Sequence, residues 1–442
     1  MVSILQRILI CHFPRGNVRY LLQSMAAVLA VCTLGSVLLL LAACGSQNTI
    51  ITPSPGTWRV VHSTNPGTAQ NNLNAVAATF ATDAWAVGSF SNKHLDLQGT
   101  QALIEHWNGA AWSVVANPTT PLSDSVLNGV VALSPTNAWA VGYTFQDNAS
   151  YVTQALIEHW NGASWKVVAN PGPVDGAQLT AVAALTATDI WAVGYGAGGQ
   201  TLGEQSLIEH WDGKKWREVQ SPNPGNGFDI LNGLAAVSTN DVWAVGTFTD
   251  ENHSIATGEE LLEHWNGASW AVVQGPNTGV QGNTLSAVAA TSTNNIWAVG
   301  SSNGSSSLTE TLIEHWNGKV WSNIKGQNPG QASNALSAIT VLSPQNIWAV
   351  GSWSSAFTGP QVQPLIEHWN GSVWSTVKSP NIGTNTTTLN GAMLVPHSTH
   401  IWAVGTGATD GIPIAVTVPP PGAGTYNETP VTAQTLIEFC CS

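Results

Sequence analysis

Short apolar runs alternate with polar stretches along most of the chain. In one repeat, Leu179–Leu185 is small and apolar, Ile190–Tyr195 is a second apolar run, and a polar loop leads to a third β-like run, Ser206–Trp211. A fourth run begins at Trp216, after the turn Asp212–Lys215. Runs of this length are typical of β-strands, and Asp-Gly or Asn-Gly between two of them predicts a hairpin. Each repeat therefore predicts four antiparallel strands, which we name A to D in chain order.

The tetrapeptide WAVG marks the B strand of each repeat. It begins at Trp85, Trp139, Trp191, Trp243, Trp297, Trp348 and Trp402. A constant period of about 50 residues in β-type sequence is typical of a β-propeller, in which each repeat forms one blade. The sequence predicts an all-β fold, a seven-bladed propeller over residues 57–442.

The two ends of this region are complementary. Thr57–Val61 reads as a D strand without the A, B and C strands of its blade, and Thr435–Glu438 reads as a C strand without a D strand. We expect the N-terminal D strand to pair with the C-terminal A–C strands, because closing the ring removes exposed strand edges. The end Phe439–Ser442 departs from the repeat, so this junction is expected to be the weakest.

The C strand carries LIEHWNG at Leu103 and close copies that begin at Leu156, Leu207, Leu261, Leu312 and Leu365. Neighbours in a strand point to opposite faces, so Glu105 and His106 are badly placed to bind one metal together. A functional site normally occurs once, whereas this motif occurs six times. We interpret it as scaffold, with a repeated metal or sugar site as the alternative.

Tryptophan follows the same repeat. Of 21 tryptophans, seven stand in WAVG, six in the C strands and seven at the start of the D strands; Trp353 is the exception. A tryptophan buries about 150–250 Å², so tryptophans at fixed positions predict a packing code between blades.

The order IWAVG, LIEHWNG and a following Trp resembles kelch-type repeats over about residues 57–442. It departs from kelch in having one glycine after the B strand where kelch has two, and Trp instead of Tyr in the third strand. The pattern is most similar to the WAVG-repeat propellers of bacterial exported proteins. This resemblance implies a fold more than an activity.

The N-terminus predicts export. Arg7, Arg15 and Arg19 precede the uncharged run Met25–Ala43, and small residues then lead to Cys44, as in a bacterial lipobox. We expect residues 1–43 to be a lipoprotein signal peptide, with Cys44 lipidated and residues 44–56 a polar tether. An uncleaved membrane helix is the alternative, and both interpretations predict an extracytoplasmic, membrane-anchored protein.

Composition excludes several functions. The net charge is −13 and charged residues are only 8%, which disfavours nucleic acid as a partner. Beyond the signal, Arg59 and Arg217 are the only arginines, too few for a sialidase-type arginine cluster. No cysteine lies between residues 45 and 439, which excludes galactose-oxidase-type copper chemistry and a disulfide framework. We expect no catalytic residue and no cofactor, although carboxylate-based hydrolysis stays open.

The long B–C loops vary from repeat to repeat, and variable loops on a rigid scaffold are where binding sites are usually built. Alternating strand direction places these loops and the D–A connections on one rim, and the Asn-Gly turns on the other. Aromatic and carboxylate side chains in the loops suit sugar stacking or cation binding. The candidate binding residues are Trp353, Tyr151, Tyr426, Asp250, Glu251 and His253.

These observations predict a monomeric binding or interaction module at the cell surface, with a glycan or protein ligand. An extracellular carbohydrate-active hydrolase or lyase on the same scaffold is the alternative. A carboxylate pair about 5–9.5 Å apart that faces the axis would favour the enzyme.

Overall fold

The computed structural model describes residues 58–92, 99–118, 124–145, 152–172, 176–197, 203–250, 258–277, 282–304, 308–355, 362–380, 386–409 and 432–440. Cys44 and the rest of the predicted signal and tether lie outside these ranges. The described residues form an all-β structure of short antiparallel strands.

Six consecutive repeats of four strands follow one short N-terminal strand, β1 (Arg59–Val60). Repeat 1 contains β2 (Gln70–Phe80), β3 (Asp83–Ser91), β4 (Thr100–Trp107) and β5 (Trp112–Val114). Repeat 2 contains β6 (Asp124–Ser134), β7 (Asn137–Phe145), β8 (Thr153–Trp160) and β9 (Trp165–Val167). Repeat 3 contains β10 (Gln178–Thr186), β11 (Asp189–Ala197), β12 (Glu204–Trp211) and β13 (Trp216–Glu218).

The second half of the chain repeats the arrangement. Repeat 4 contains β14 (Asp229–Ser238), β15 (Asp241–Phe248), β16 (Glu259–Trp265) and β17 (Trp270–Val272). Repeat 5 contains β18 (Asn283–Ser292), β19 (Asn295–Asn303), β20 (Thr309–Trp316) and β21 (Trp321–Asn323). Repeat 6 contains β22 (Ser333–Ser343), β23 (Asn346–Ser354), β24 (Val362–Trp369) and β25 (Trp374–Thr376). Three further strands complete the series: β26 (Thr387–Leu394), β27 (Ile401–Thr409) and β28 (Thr432–Cys440).

Each of repeats 1 to 4 forms its own four-stranded sheet with the strands in chain order. Repeats 5 and 6 are joined into an eight-stranded sheet, through a single parallel pair between Thr309 and Ser333. The terminal sheet has the order β1-β28-β27-β26, with the N-terminal strand at its edge. The predicted four-stranded antiparallel blades are therefore present.

The expected pairing of the chain ends is also present. Arg59 is the partner of Phe439 and Val60 is the partner of Glu438, in antiparallel register. The Val61 amide donates to the Ile437 carbonyl at 2.9 Å, which extends the ladder by one bond. The N-terminal strand thus completes a sheet whose other strands come from the opposite end of the chain.

The WAVG strands are apolar because they are covered on both faces. Trp85, Ala86 and Val87 are buried, and the same holds for the equivalent residues of the other repeats. The core lies between sheets: Trp85 of repeat 1 packs in one cluster with Leu127 and Trp165 of repeat 2. A strand buried on both faces loses the apolar–polar alternation of a half-exposed strand.

The glycine of WAVG is required by a close approach of two backbones. A Cβ at Gly194 would lie 2.0 Å from the Gln178 carbonyl oxygen of the neighbouring A strand. The A strand carries a β-bulge next to this point, between Leu179 and Ala181. Thr180 is the extra residue of this bulge and has no partner residue in the B strand. Its side chain can therefore form a hydrogen bond to the neighbouring sheet.

Candidate functional site

The histidine of the EHW motif fastens the C strand to the start of its own B strand. His106 Nε2 lies 2.7 Å from Asp83 Oδ1, and His210 Nε2 lies 2.8 Å from Asp189 Oδ1. The same contact recurs with Asn137, Asp241, Asn295 and Asn346 in the other repeats. Each imidazole also packs on the WAVG tryptophan, with ring centroids 4.2 to 4.4 Å apart. These partners give the histidines a structural role.

The tryptophans form the inter-repeat contact that their periodicity predicts. Trp139 of repeat 2 lies 5.0 Å from Trp211 and 5.6 Å from Trp216 of repeat 3, measured between ring centroids. The WAVG tryptophan of the terminal sheet, Trp402, contacts Trp107 and Trp112 of repeat 1 in the same way. Tilted and edge-on aromatic pairs at this distance stabilise beyond their buried area.

The glutamate of the motif lies at the boundary between neighbouring sheets and is 0% exposed in every described copy. Ser221, which follows the D strand of repeat 3, donates its hydroxyl to Glu263 of repeat 4 at 2.9 Å. Ser379 donates in the same way to Glu438 at 2.6 Å. Burial raises the pKa of Glu209 to about 8 and the pKa of Glu263 to about 7. Glu263 and Glu438 therefore link adjacent sheets, and burial favours the protonated form of the motif glutamate.

Repeats 4 and 5 depart from this arrangement. Burial and the neighbouring carboxyl of Glu260 raise the pKa of Glu314 to about 9. Glu260 accepts in turn from the Asn277 amide and from Asn283 Nδ2, at 2.5 and 3.0 Å. Glu314 is fully buried, so it is not accessible to a carbohydrate substrate as a catalytic carboxyl.

A ring of polar side chains at the A-strand bulges lines a cavity of about 220 Å³ that all seven A strands share. Asn74 Nδ2 donates to the Leu127 carbonyl of the next repeat at 2.9 Å, and Thr180 Oγ1 donates to the Leu231 carbonyl at 2.6 Å. Asn390 of the terminal sheet donates to the Leu73 carbonyl of repeat 1 at 2.9 Å. This ring was not foreseen from the sequence, although the Leu-Asn, Leu-Thr and Leu-Ser pairs of the A strands were a usable signal.

Of the candidate binding residues, Trp353 and Asp250 lie within the described part of the chain. Trp353 is half-buried and is paired with Gln363, so it belongs to the B strand and not to the loop. Asp250 follows β15 at the start of a B–C loop. The structure does not describe Tyr151, Tyr426, Glu251 and His253, which remain predictions.

Trp353 lines a pocket of about 450 Å³ on the rim that carries the B–C and D–A connections. The walls come from the ends of three neighbouring strands and from the segment that leaves the D strand of repeat 5. They include Pro329, Gln363, Pro364, Val377 and Lys378. Its volume falls in the range typical of ligand pockets, about 300–1,000 Å³. Among the described residues Trp353 has no aromatic ring partner, unlike the other tryptophans.

Repeat 3 holds an equivalent pocket of about 530 Å³. The strand pairs show the correspondence: Gly196 is opposite Gln205 in repeat 3, and Trp353 is opposite Gln363 in repeat 6. At the end of the D strand, Gln220 stands where repeat 6 has Lys378. The same backbone framework thus carries an aromatic ring and a cation in repeat 6 and neither in repeat 3.

Two tyrosines on the same rim were missed in the sequence analysis. Tyr143 and Tyr195 directly follow WAVG in repeats 2 and 3, where the other repeats have Ser or Thr. Tyr195 donates its hydroxyl to Gln178 Oε1 at 2.9 Å. Burial, with added repulsion from Glu204 and Tyr143, raises the pKa of Tyr195 to about 12. Both rings are neutral at physiological pH and offer partly exposed aromatic surface.

Charge is unevenly distributed along this rim. Glu204, Asp229, Glu259 and Glu260 lie at strand ends in repeats 3 and 4. Lys325 and Lys378 are exposed and follow the D strands of repeats 5 and 6. The other described lysines and arginines lie in D strands or in the C–D turns. The lysines of this rim thus lie in repeats 5 and 6, whereas its carboxylates extend from repeat 3 into repeat 5, where Glu310 is exposed near the start of the C strand. Among the residues that line the Trp353 pocket, Lys378 is the one charged side chain.

Within the described ranges, no group of three or more His, Cys, Asp or Glu residues is placed to hold a metal ion. The same part of the chain has no helix that is long and apolar enough to cross a membrane.

A comparison with a protein of known structure supports the fold. A structure of YCF48 bound to D1 peptide aligns with a TM-score of 0.50 at 13% identity, over 88% of this chain and 96% of that one. Sqt1 from Chaetomium thermophilum bound to the N-terminus of ribosomal protein L10 aligns at 0.43 and 11% identity, over 77% and 85% of the two chains. No protein-family model matches the sequence. No curated protein matches it either. The chain is thus similar in fold to β-propellers, and kelch membership stays a prediction.

Proposed function

We propose that the chain is a protein-binding β-propeller whose working surface is the rim of the B–C and D–A connections. The observation that carries this proposal is the Trp353 pocket, which opens where the repeats differ from one another. The opposite rim is uniform: the Asn-Gly turns at Asn108 and Asn161 make the same side-chain bonds to the two residues that follow Gly109 and Gly162. Folding alone accounts for uniform turns, whereas unlike strand ends form one asymmetric surface suited to one partner.

Propellers with peptide partners support the class of ligand. The structure of YCF48 contains a bound D1 peptide, and the structural alignment with this chain covers 96% of YCF48. A glycan ligand, and a hydrolase or lyase activity, remain alternatives from the sequence that no observed geometry favours.

The scaffold of this module is, in our proposal, a closed seven-bladed ring. Repeats 1 to 6 supply six blades and the terminal sheet supplies the seventh. Three contacts support closure: the β1–β28 pair, the Asn390 bond to Leu73, and the contact of Trp402 with Trp112.

We also propose that the module is an extracytoplasmic lipoprotein, anchored through Cys44. The support is the apolar run Met25–Ala43 with small residues before the cysteine. Mass spectrometry of membrane-extracted protein is expected to find diacylglyceryl-modified Cys44. Recovery of an intact Met1–Ala43 segment in the mature protein would contradict the anchor.

The binding proposal is tested with residues 45–442 and a random 12-residue peptide library displayed on phage. Each selected peptide is expected to lose at least tenfold in affinity for Trp353→Ala or for Tyr195→Ala, and to bind Asn161→Ala and Asn266→Ala, on the opposite rim, unchanged. Peptides that bind both aromatic variants as tightly as the unchanged protein would contradict the proposal. Selection of no peptide, or loss of binding only in the two turn variants, would reject the proposed surface.

A further inference from the structure

The Trp353 pocket differs from its counterpart in repeat 3 at the positions that decide what binds. The two share leucine at the start of the C strand (Leu207 and Leu365) and serine after the D strand (Ser221 and Ser379). Trp353 replaces Gly196 on one wall. The same arrangement of strands therefore gives the pocket of repeat 6 an apolar, aromatic surface and the pocket of repeat 3 a largely polar one.

The charges of the two pockets differ in the same direction. Glu218 lines the pocket of repeat 3, where repeat 6 has the neutral Thr376. Lys378 lines the pocket of repeat 6, where repeat 3 has Gln220. None of the residues that line the Trp353 pocket is an aspartate or glutamate.

The pocket is open and formed by strand ends, and this favours an extended segment over a compact ligand. Trp353, Pro364 and Val377 line it with apolar surface, and its volume of about 450 Å³ is large enough for one large side chain. An aromatic anchor in a pocket is a common centre of binding energy. Lysine beside such an anchor favours carboxylates in the partner, by charge complementarity.

We propose that the Trp353 pocket docks an extended peptide segment in which a large apolar side chain is flanked by carboxylates. This rests on the proposed function, since it names the partner chemistry of one part of the rim. The apolar side chain lies against Trp353, and the carboxylates lie toward Lys378.

The test uses residues 45–442 and two fluorescein-labelled octapeptides, Gly-Asp-Phe-Asp-Leu-Asp-Gly-Gly and its counterpart with Lys in place of each Asp. Fluorescence anisotropy is expected to show that the acidic peptide binds at least tenfold more tightly than the basic one. Trp353→Ala and Lys378→Glu are each expected to weaken binding of the acidic peptide at least tenfold. Because the Lys378 side chain is exposed, Lys378→Glu is expected to leave the fold intact. Gln220→Glu is the matched control in repeat 3 and is expected to have no effect.

Equal binding of the two peptides, or acidic-peptide binding that either Trp353→Ala or Lys378→Glu leaves unchanged, would overturn the proposal. Absence of acidic-peptide binding would overturn it too. These outcomes are separate from the failure of the proposed function: peptides selected from the library that still depend on Tyr195 would show a binding rim with a different pocket chemistry. Tighter binding of the acidic peptide by the triple variant Gly196→Trp, Glu218→Thr, Gln220→Lys would support the assignment independently.

Discussion

The Glu-His-Trp motif resembles a catalytic motif, but its side chains serve as hydrogen-bonding and packing partners within the sheets. His210 lies against Asp189 and Trp191, both of which belong to the B strand of its own sheet. The strand alternation that separates Glu from His was readable from the sequence, and it predicted the scaffold role. The identity of the partners was not readable, because they lie about 20 residues away and are brought together by the hairpin.

Removal of one of these histidines is expected to cost stability and nothing else. His210→Ala leaves Asp189 without its imidazole partner, and we expect a loss of about 1–3 kcal/mol in the free energy of unfolding. Denaturation in urea measures it. Lys214→Ala, an exposed neighbour in the C–D turn, is the control. Lost ligand binding at unchanged stability would mean that the motif is a site.

The buried glutamates give stability a predictable dependence on pH. Burial raises the pKa of Glu209 to about 8 in the folded protein, above the ordinary value of 4.5. The folded state therefore holds a proton that the unfolded state has already released above pH 4.5. The contribution of Glu209 to stability is thus fully present below pH 4.5 and is lost as pH rises through about 8. We expect a lower melting temperature at pH 9 than at pH 6.5.

Glu209→Gln removes one of these titrating groups and is expected to reduce the pH dependence between pH 6.5 and pH 9. The opposing effect of His159, His315 and His368, whose pKa values are lowered by burial from 6.5, fades within the lower part of this window. A melting temperature that rises toward pH 9, or a slope unchanged by the substitution, would contradict the account.

At the scale of single strands, the glycine of WAVG depends on the bulge opposite it. Gly194→Ala would place a Cβ about 2 Å from a carbonyl oxygen, and the backbone must move to avoid it. We expect a loss of several kcal/mol, typical of overpacking with backbone displacement. Gly129→Ala is the control, because repeats 1, 3, 5 and 6 already have alanine at that bulge position (Ala75, Ala181, Ala287 and Ala338). Chemical denaturation of the two variants compares the costs, and equal losses would refute the close-approach argument.

Strand periodicity predicted the four strands of each repeat, because turn residues separate them at regular spacing. It did not predict the bulges or the Asn, Thr and Ser side chains that line the cavity shared by the A strands. A bulge is a change of register between two strands, and only the paired backbones reveal it. The positions of the short D strands were predicted because each of them begins with a tryptophan.

At the scale of the whole molecule, the complementary chain ends predicted the β1–β28 pair. If this pair closes a ring, deletion of residues 52–62 should expose the edge of β28 and lower stability by several kcal/mol. Trp58 is lost in the same deletion, and with it the edge-on contact with Trp348. Differential scanning calorimetry measures the change, and an unchanged melting temperature would argue against closure.

The binding surface was the least predictable part. Trp353 was identified because it breaks the tryptophan repeat, whereas Tyr143 and Tyr195 were missed because they extend a strand motif by one residue. Which strand ends share a pocket depends on how sheets stand around the axis. No local pattern in the sequence carries that information.

The central claim, that the B–C rim is the binding surface, is tested most directly by hydrogen–deuterium exchange of the protein with and without a library-selected peptide. Bound peptide is expected to slow exchange in residues 352–354, 362–366 and 376–380 and to leave the turns 161–164 and 212–215 unchanged. Protection confined to those turns, with no change around Trp353 or Tyr195, would contradict the account.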